Sequence, residues 1–200
     1  MGDLSSIPTV LVTGFGPFRS HTENSSWLTV KELLKLNITD YHIVAKELPV
    51  EYGMVSEVVP LLWKEYNPKL VVHCGMSDQA NCLTIEKLAH RNDYYGCDIT
   101  GQVPSGYTCC CDGPDVLYTS IDVEKVLEDV YGSGACVKAQ ASKDAGLYLC
   151  EFIFYTSLKI NQNTAFVHIP PIGQPYSARE MAETLAIIIH SMLKQVQSSS

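Results

Sequence analysis

Residues 145–169 read AGLYLCEFIFYTSLKINQNTAFVHI, and this stretch decides the class of fold. Its first part, 145–160, predicts a helix. Its last part, 165–169, is a short apolar run that predicts a buried strand. A helix that leads directly into a buried strand is a unit of the α/β class of proteins.

Strand and helix signals alternate along the rest of the chain as well. Strands are predicted at 9–13, 41–48, 70–74, 82–89 and 135–139. Further helices are predicted at 52–66, at 121–131, from a cap at Ser25 or Ser26 to Leu36, and after the capping box Ser177-x-x-Glu180. The last helix carries an apolar stripe of Met181, Leu185, Ile188, Ile189, Met192 and Val196. This alternation predicts a mostly parallel sheet covered by helices on both faces, within one domain, 1–200.

Composition excludes several classes of protein. Apolar residues make up 46% of the chain and charged residues 18%, which is enough apolar material for a core and argues against disorder. The net charge is −8, and Lys and Arg form no cluster, so no nucleic-acid partner is expected. No stretch approaches the roughly 20 apolar residues of a membrane span, so no membrane association is expected.

The cysteines are best interpreted as reduced thiols. Residues 1–8 show no basic segment ahead of an apolar run, so we expect no secretory signal and a cytoplasmic location. Of the eight cysteines, Cys109, Cys110 and Cys111 are adjacent, and no Cys-x-x-Cys pair occurs. Because structural zinc normally uses ligands two to four residues apart, we expect no bound metal.

Cys150 is the first candidate for chemistry. It falls near the start of the helix predicted after Ser142-Lys143-Asp144-Ala145-Gly146. A helix N-terminus offers unpaired N–H groups and a positive potential, which favour a nucleophilic thiolate. The alternative is a structural cysteine, since Cys is among the most buried residue types.

His168 is the second candidate. It closes the strand at 165–169, just before Pro170-Pro171, and lies 18 residues after Cys150. One helix and one strand return the chain over that distance to the sheet, so imidazole and thiol can meet in space. A structural histidine is the alternative reading of this position taken alone. The remaining histidines show no metal-ligand spacing and are assigned no role.

A third residue should accept a hydrogen bond from the imidazole and orient it. Glu86, within the alternating run at 82–89, is one candidate, and Asp78, Asp93 and Asp98 are nearly equal ones. The residue types and their spacing do not choose between these four carboxylates.

Gly14-Phe15-Gly16-Pro17-Phe18 follows the first predicted strand. It lacks the later Gly-Lys-Ser/Thr of a phosphate loop and the third glycine of a dinucleotide fingerprint. Two phenylalanines on a loop stiffened by Gly and Pro are suited to wall a small apolar pocket, although they are equally suited to anchor a core.

Taken together, these motifs resemble the pyroglutamyl-peptidase I family of cysteine omega-peptidases, and especially its animal form. The resemblance runs along nearly the whole chain. It is carried by TGFGPF at 13–18 with His21-Thr22-x-Asn24-x-Ser26-Trp27, by Glu86-Lys87, by Asp112-Gly113-Pro114, by DAGxYLCxFxxYTSL at 144–158 and by AFVHIPP at 165–171.

The resemblance implies an enzyme that removes N-terminal pyroglutamate from peptides without a cofactor. It implies a catalytic triad of Glu86, Cys150 and His168. It implies that substrate is bound by Phe15, Phe18, Asn24, Met76, Tyr148 and Leu149. It also implies a three-layer α/β/α sandwich of the phosphorylase/hydrolase-like type. We expect a monomer.

Three positions depart from the family pattern. Arg91 stands where Asn is usual, Ile99 follows Asp98 where Asn is common, and Arg19 replaces a Gly just after the stretch Gly14–Phe18. Arg91 and Ile99 motivate an alternative, a catalytically weakened relative that binds pyroglutamyl peptides. A nucleoside phosphorylase is a third reading based on architecture, disfavoured because no phosphate-binding motif is present.

Overall fold

The structure is a computed structural model that describes residues 7–18 and 22–198. Its strands are β1 (Thr9–Phe15), β2 (His42–Leu48), β3 (Leu70–Met76), β4 (Leu83–Glu86), β5 (Leu88–His90), β6 (Val116–Tyr118), β7 (Ala139–Ser142) and β8 (Thr164–Ile169). Its helices are α1 (Ser25–Leu33), α2 (Tyr52–Tyr66), α3 (Val123–Gly132), α4 (Leu149–Ile160) and α5 (Ala178–Ser198). Arg19 and His21 lie outside the described residues.

Within the described residues, six strands form a central sheet in the order β2-β1-β3-β8-β4-β7. Neighbouring strands run parallel, except that β4 pairs antiparallel with β8. β5 and β6 form a separate antiparallel pair. The predicted α/β class with a mostly parallel sheet is therefore confirmed.

The alternating side chains of the strands divide the core into two layers. Val10 and Val12 of β1 point into a cluster with α1, α3 and α5. Leu11, between them, points into a second cluster with α2 and α4. Both faces of the sheet are therefore covered by helices, as continuous apolar strands of a parallel sheet require.

Strong local signals located several elements correctly. The helix at 52–66 was predicted with the observed bounds, and Pro60 lies inside it. The capping box before α5 is present: Ser177 N donates to Glu180 Oε2 at 2.8 Å, and Glu180 N donates to Ser177 Oγ at 3.2 Å. The predicted stripe of α5 is buried.

Other predictions were wrong in their bounds. The cap of α1 is Asn24 instead of Ser25 or Ser26, because the Asn24 side chain accepts from Ser26 N, and the helix ends at Leu33. The run at 82–89 is two strands, because the chain leaves the central sheet at Lys87 and pairs β5 with β6.

The strand predicted at 135–139 lies at 139–142. Val137 gave the apolar signal, but it packs into the core ahead of the strand, and β7 is a half-buried edge strand. The helix predicted from 145 begins at Leu149, because Gly146 and Leu147 have φ of 94° and 46°, which no α-helix accommodates.

The irregular segment at 93–114 contains a short 3₁₀ turn, Ser105–Tyr107, and its residue Thr108 forms an isolated bridge with Asn92, just before the segment. Within the part of the chain that the structure describes, none of the helices combines the length and the apolar character needed to cross a bilayer.

Candidate active site

Three chain segments bring the predicted triad to one cavity of about 500 Å³. Cys150 is the second residue of α4, His168 is the last but one residue of β8, and Glu86 ends β4. β4 lies beside β8, with Thr84 opposite His168 and Glu86 opposite Phe166. Thr84 and His168 are opposite each other and so point to the same side of the sheet. Because residues two apart on a strand share a face, Glu86 points to that side as well.

A buried hydrogen bond joins His168 to Glu86. The imidazole Nδ1 lies 2.9 Å from Glu86 Oε1, and Glu86 is 1% exposed. An ionised carboxylate only accepts hydrogen bonds, so Nδ1 is the donor in this pair. The other ring nitrogen, Nε2, is therefore the one left to meet the thiol of Cys150.

The charge state of His168 reflects a balance of opposing effects. Burial lowers its pKa, but hydrogen bonds with Cys150 and Glu86 and the negative charges of these partners outweigh burial and raise the pKa to about 10. The raised pKa favours the imidazolium form of His168. A cation at this position favours the thiolate form of a neighbouring cysteine.

Gly75 makes room for the sulfur of Cys150. It lies on β3, opposite His168 on β8, and a Cβ built on it would lie 2.7 Å from Cys150 Sγ. Only a residue without a side chain leaves the sulfur in contact with this strand. The sulfur is thereby held above the sheet beside the strand position that carries the imidazole.

The first turn of α4 supplies donors for a developing negative charge. The first N–H groups of a helix have no acceptor inside it, and Leu149 and Cys150 are the first two residues of α4. The cavity beside them is lined by the preceding residues Ala145, Gly146 and Tyr148. An oxyanion formed on a carbonyl attacked by Cys150 would lie near these N–H groups.

The predicted substrate-binding residues fall into three groups. Phe18, Met76 and Tyr148 line the cavity, and the Phe18 and Tyr148 rings lie 5.5 Å apart. Phe15 and Leu149 are buried in the apolar cluster with α2 and α4.

Asn24 forms the third group, because its amide is occupied by internal partners. Its Oδ1 accepts from Ser26 N at 3.1 Å and from Ser26 Oγ at 2.8 Å, while Nδ2 donates to Gly16 O at 3.0 Å. Asn24 is 5% exposed. It ties the Gly14–Phe18 loop to the start of α1.

The other carboxylates that the sequence left open have different environments. Asp98 accepts hydrogen bonds from Tyr52 N, Thr100 N and Gln102 N, so it orders its own loop and ties that loop to the start of α2. Asp93 accepts from Tyr95 OH in an exposed turn. Asp78 lines the cavity. Of the four, Glu86 is the one hydrogen-bonded to His168.

Sequence reasoning missed Gly75, Thr84 and Gln140. Thr84 and Gln140 line the cavity, and Gln140 Nε2 donates to Thr84 Oγ1 at 3.1 Å. Gln140 lies on β7, which had been predicted too early in the chain, so no signal pointed to it. The strand predicted at 70–74 ends just before Gly75, and no role was assigned to that glycine.

Two of the three departures from the family pattern lie among the described residues. Arg91 is outside the catalytic cavity, where its Nη2 pairs with Asp115 Oδ1 at 2.8 Å. Ile99 is half exposed and lies with Pro17 and Phe18 beside a shallow depression of about 390 Å³. Within residues 7–18 and 22–198, no group of three or more His, Cys, Asp and Glu is arranged to hold a metal ion.

A thiol at a helix start, a histidine and the buried carboxylate that holds it, beside two interior strands of an α/β sheet, define a thiol hydrolase. The sequence model of the family described as pyroglutamyl peptidase matches residues 8–197. The chain therefore belongs to the pyroglutamyl peptidase family, whose members are cysteine peptidases.

Individual relatives agree with this assignment. The chain is 43% identical over 194 residues to human pyroglutamyl-peptidase 1, a match that covers 95% of this chain and 92% of that protein. It is 33% identical over 172 residues to the human pyroglutamyl-peptidase 1-like protein, covering 84% and 87%. A mutant pyrrolidone carboxyl peptidase from Pyrococcus furiosus superposes with a TM-score of 0.83 at 25% identity, covering 94% and 99%.

Proposed function

We propose that this protein hydrolyses the bond after an N-terminal pyroglutamyl residue of peptides. The observation that carries the proposal is the position of His168 between the carboxylate of Glu86 and the thiol of Cys150, inside a cavity large enough for a small acyl group. Family membership supports peptides as the class of substrate.

In the first half of the reaction, the Cys150 thiolate attacks the pyroglutamyl carbonyl carbon. The oxygen of that carbonyl gains the negative charge, which backbone N–H groups at the start of α4 stabilise. His168 then gives its Nε2 proton to the leaving amine as the peptide bond breaks. The shortened peptide departs, and a thioester on Cys150 remains.

In the second half, water hydrolyses the thioester. His168, now neutral, takes a proton from water as its oxygen attacks the acyl carbon. The carbon–sulfur bond breaks, pyroglutamate leaves, and the thiolate–imidazolium pair is restored. Glu86 holds the ring by Nδ1 throughout and stabilises its charged form, so it orients the base without taking part in proton transfer.

The pyroglutamyl residue of a peptide is an uncharged lactam, and the cavity suits such a group. Aromatic rings of Phe18 and Tyr148 offer apolar walls, and the backbone around Met76 offers groups that pair with the lactam amide. Phe15 and Leu149 support these walls from the core. The proposed role of Asn24 is to hold the Gly14–Phe18 loop, since its amide is already hydrogen-bonded within the protein.

One of the two arguments for the binding-protein alternative was the replacement at Arg91. That argument is weakened, because Arg91 pairs with Asp115 outside the cavity. The phosphorylase alternative is also disfavoured. Carboxylates of Glu86, Asp78 and Asp144 line the cavity, and their negative charge opposes binding of phosphate.

Several features of the whole molecule complete the proposal. The two apolar clusters share one sheet, which supports a single domain over 1–200. All eight cysteines are free, which supports a reducing, cytoplasmic location. We propose that the protein acts as a monomer, since each of the three triad residues comes from this chain.

The direct test is release of a fluorophore from a pyroglutamyl conjugate by wild-type protein and by Cys150→Ser. Turnover by the wild type and its loss in the variant are expected, and a prolyl conjugate of the same fluorophore is the matched control. Binding of the pyroglutamyl conjugate without turnover by folded wild-type protein would instead establish the binding-protein alternative.

A further inference from the structure

Beside the nucleophile, two residues contact each other at positions where the family motif does not specify the residue type. In the block DAGxYLCxF at 144–152, the unassigned positions are Leu147 and Glu151. Leu147 N donates a hydrogen bond of 2.7 Å to Glu151 Oε2. The contact therefore spans Cys150, from the loop before α4 to the first turn of that helix.

Glu151 is a fully buried carboxylate with both oxygens occupied. Its Oε1 accepts from His90 N at 2.8 Å and from His90 Nδ1 at 2.6 Å, while its Oε2 accepts from Leu147 N. Its relative exposure is 0%. With these bonds made inside the protein, Glu151 has no oxygen free to act on a substrate.

The backbone that Glu151 holds is in an unfavourable conformation. Leu147 has φ of 46° and Gly146 has φ of 94°, so two successive residues adopt positive φ. Glycine adopts this region readily, but a leucine does so only when its surroundings impose it. The hydrogen bond from Glu151 to Leu147 N is such a constraint.

The constrained segment forms part of the reaction cavity. Gly146 and Tyr148, on either side of Leu147, line the cavity with Cys150 and His168. The direction of the backbone at 146–148 also sets where α4 begins, and hence where its first N–H groups point. A change at Leu147 would therefore move the donors that face the reacting carbonyl.

His90 connects this arrangement to β5. It ends that strand, and its side chain remains 44% exposed while the carboxylate it contacts is buried. A buried carboxylate requires such partners, since an unpaired charge in the interior is strongly unfavourable. The hydrogen-bonded pair of His90 and Glu151 thus anchors the start of α4 to a strand outside the central sheet.

We propose that Glu151 is a positioning residue for the reaction: it holds Leu147 in its left-handed conformation and so aims the oxyanion donors at the start of α4. This inference rests on the proposed function. It predicts that Glu151→Gln lowers kcat about tenfold to 100-fold while KM changes little, because the donors act mainly on the transition state. Glutamine has the shape of glutamate, but its N–H₂ must face at least one of the three donors.

The decisive experiment combines this variant with Leu147→Gly. Glycine adopts positive φ without the carboxylate, so Glu151→Gln/Leu147→Gly should recover about tenfold in kcat over Glu151→Gln alone. Glu183→Gln, which removes an exposed carboxylate paired with Arg179 on α5, is the matched control and should keep wild-type kcat. Failure of the glycine to rescue kcat, or a loss confined to KM, would overturn the proposal.

A readout without catalysis separates this inference from the proposed function. Amide hydrogen exchange at Leu147 should be slow in the wild type and faster in Glu151→Gln, whether or not the protein turns over substrate. A wild type without turnover would refute the proposed function and, with it, the catalytic role of Glu151. Unchanged exchange at Leu147 in an active enzyme would refute the hydrogen bond as the constraint.

Discussion

The α-carbon of Gly75 faces the sulfur of Cys150 so closely that a Cβ at position 75 would lie 2.7 Å from Sγ. The same Cβ would lie 2.6 Å from Cζ of Phe166, on the neighbouring strand. Both distances are shorter than any van der Waals contact. The sulfur, the phenyl ring and the strand therefore fit together only around glycine.

Gly75→Ala should nearly abolish activity without unfolding the protein. The added methyl group must push the sulfur away from His168 or displace the Phe166 ring, and a misplacement of about 1 Å can cost roughly 100-fold in rate. Steady-state hydrolysis of a pyroglutamyl-fluorophore conjugate measures the loss. The rate of Cys150 alkylation should also differ between Gly75→Ala and wild type, because the thiol has moved relative to His168.

Gly53→Ala is the matched control for that substitution. A Cβ on Gly53, in α2, would meet no atom within 4 Å, so alanine should leave activity intact and stabilise the helix by up to about 1 kcal/mol. Wild-type activity in Gly75→Ala would show that the sulfur does not need its present position.

Glu86→Gln should lower kcat/KM by about 10²- to 10⁴-fold, because an amide stabilises the imidazolium less than a carboxylate does and can hold the neutral ring in the wrong tautomer. It should also shift the pH profile. Although burial lowers the pKa of His168, hydrogen bonds with Cys150 and Glu86 raise it to about 10, and loss of imidazolium above that pH removes the proton donor. Without the carboxylate the pKa falls, so the alkaline limb should move to lower pH.

The measurement is kcat/KM against pH, from about pH 5 to about pH 11, which reports ionisation of the free enzyme. Glu180→Gln, at the exposed capping box of α5, is a control that should leave the profile unchanged. An alkaline limb that stays in place in Glu86→Gln would mean that this carboxylate does not support the charge of His168.

Local signals were sufficient for much of the fold. The helix at 52–66 and the strand at 165–169 have clear patterns and clear ends, and both appear as expected. Cys150 was correctly placed at a helix start, although the helix begins at Leu149 because positive φ at Gly146 and Leu147 delays it. Backbone conformation at a single leucine leaves no trace in an apolar pattern.

Residue types and spacing did not select Glu86 among the four carboxylates, and the resemblance to the family made that choice, because the position of Glu86 depends on long-range pairing. Its contact with His168 exists because β4 runs antiparallel to β8 within an otherwise parallel neighbourhood. The two residues are 82 positions apart in the sequence, and no local pattern indicates whether their strands pair parallel or antiparallel. For the same reason Gln140 was missed, since its approach to Thr84 depends on the pairing of β7 with β4.

Two variants of Asn24 test whether this residue supports the loop at Gly14–Phe18 or contacts the substrate. Asn24→Ala should lower the free energy of unfolding by about 1–2 kcal/mol, because it removes the cap of α1. Asn24→Ser should keep most of that stability, since serine also caps helices. It should still raise KM about fivefold, the equivalent of one net hydrogen bond of about 1 kcal/mol, because the bond to Gly16 O is lost.

Thermal unfolding and steady-state kinetics of both variants distinguish the two roles. Loop support requires that KM rise in alanine and serine alike, while stability falls mainly in alanine. A large loss of kcat in Asn24→Ser, with stability and KM intact, would instead indicate that the amide acts on the reacting substrate.

Arg91→Asn restores the residue that is usual in the family. It should leave kcat/KM within about twofold of wild type, because an ion pair outside the cavity adds nothing to transition-state binding. The guanidinium pairs with Asp115 on the surface, outside the catalytic cavity. Ile99→Asn is the informative comparison, since Ile99 lies beside Phe18 and its replacement should change KM. A rise of about tenfold in kcat/KM in Arg91→Asn would instead show that the segment after Glu86 acts on the reaction, and the assignment of Arg91 to a surface ion pair alone would be wrong.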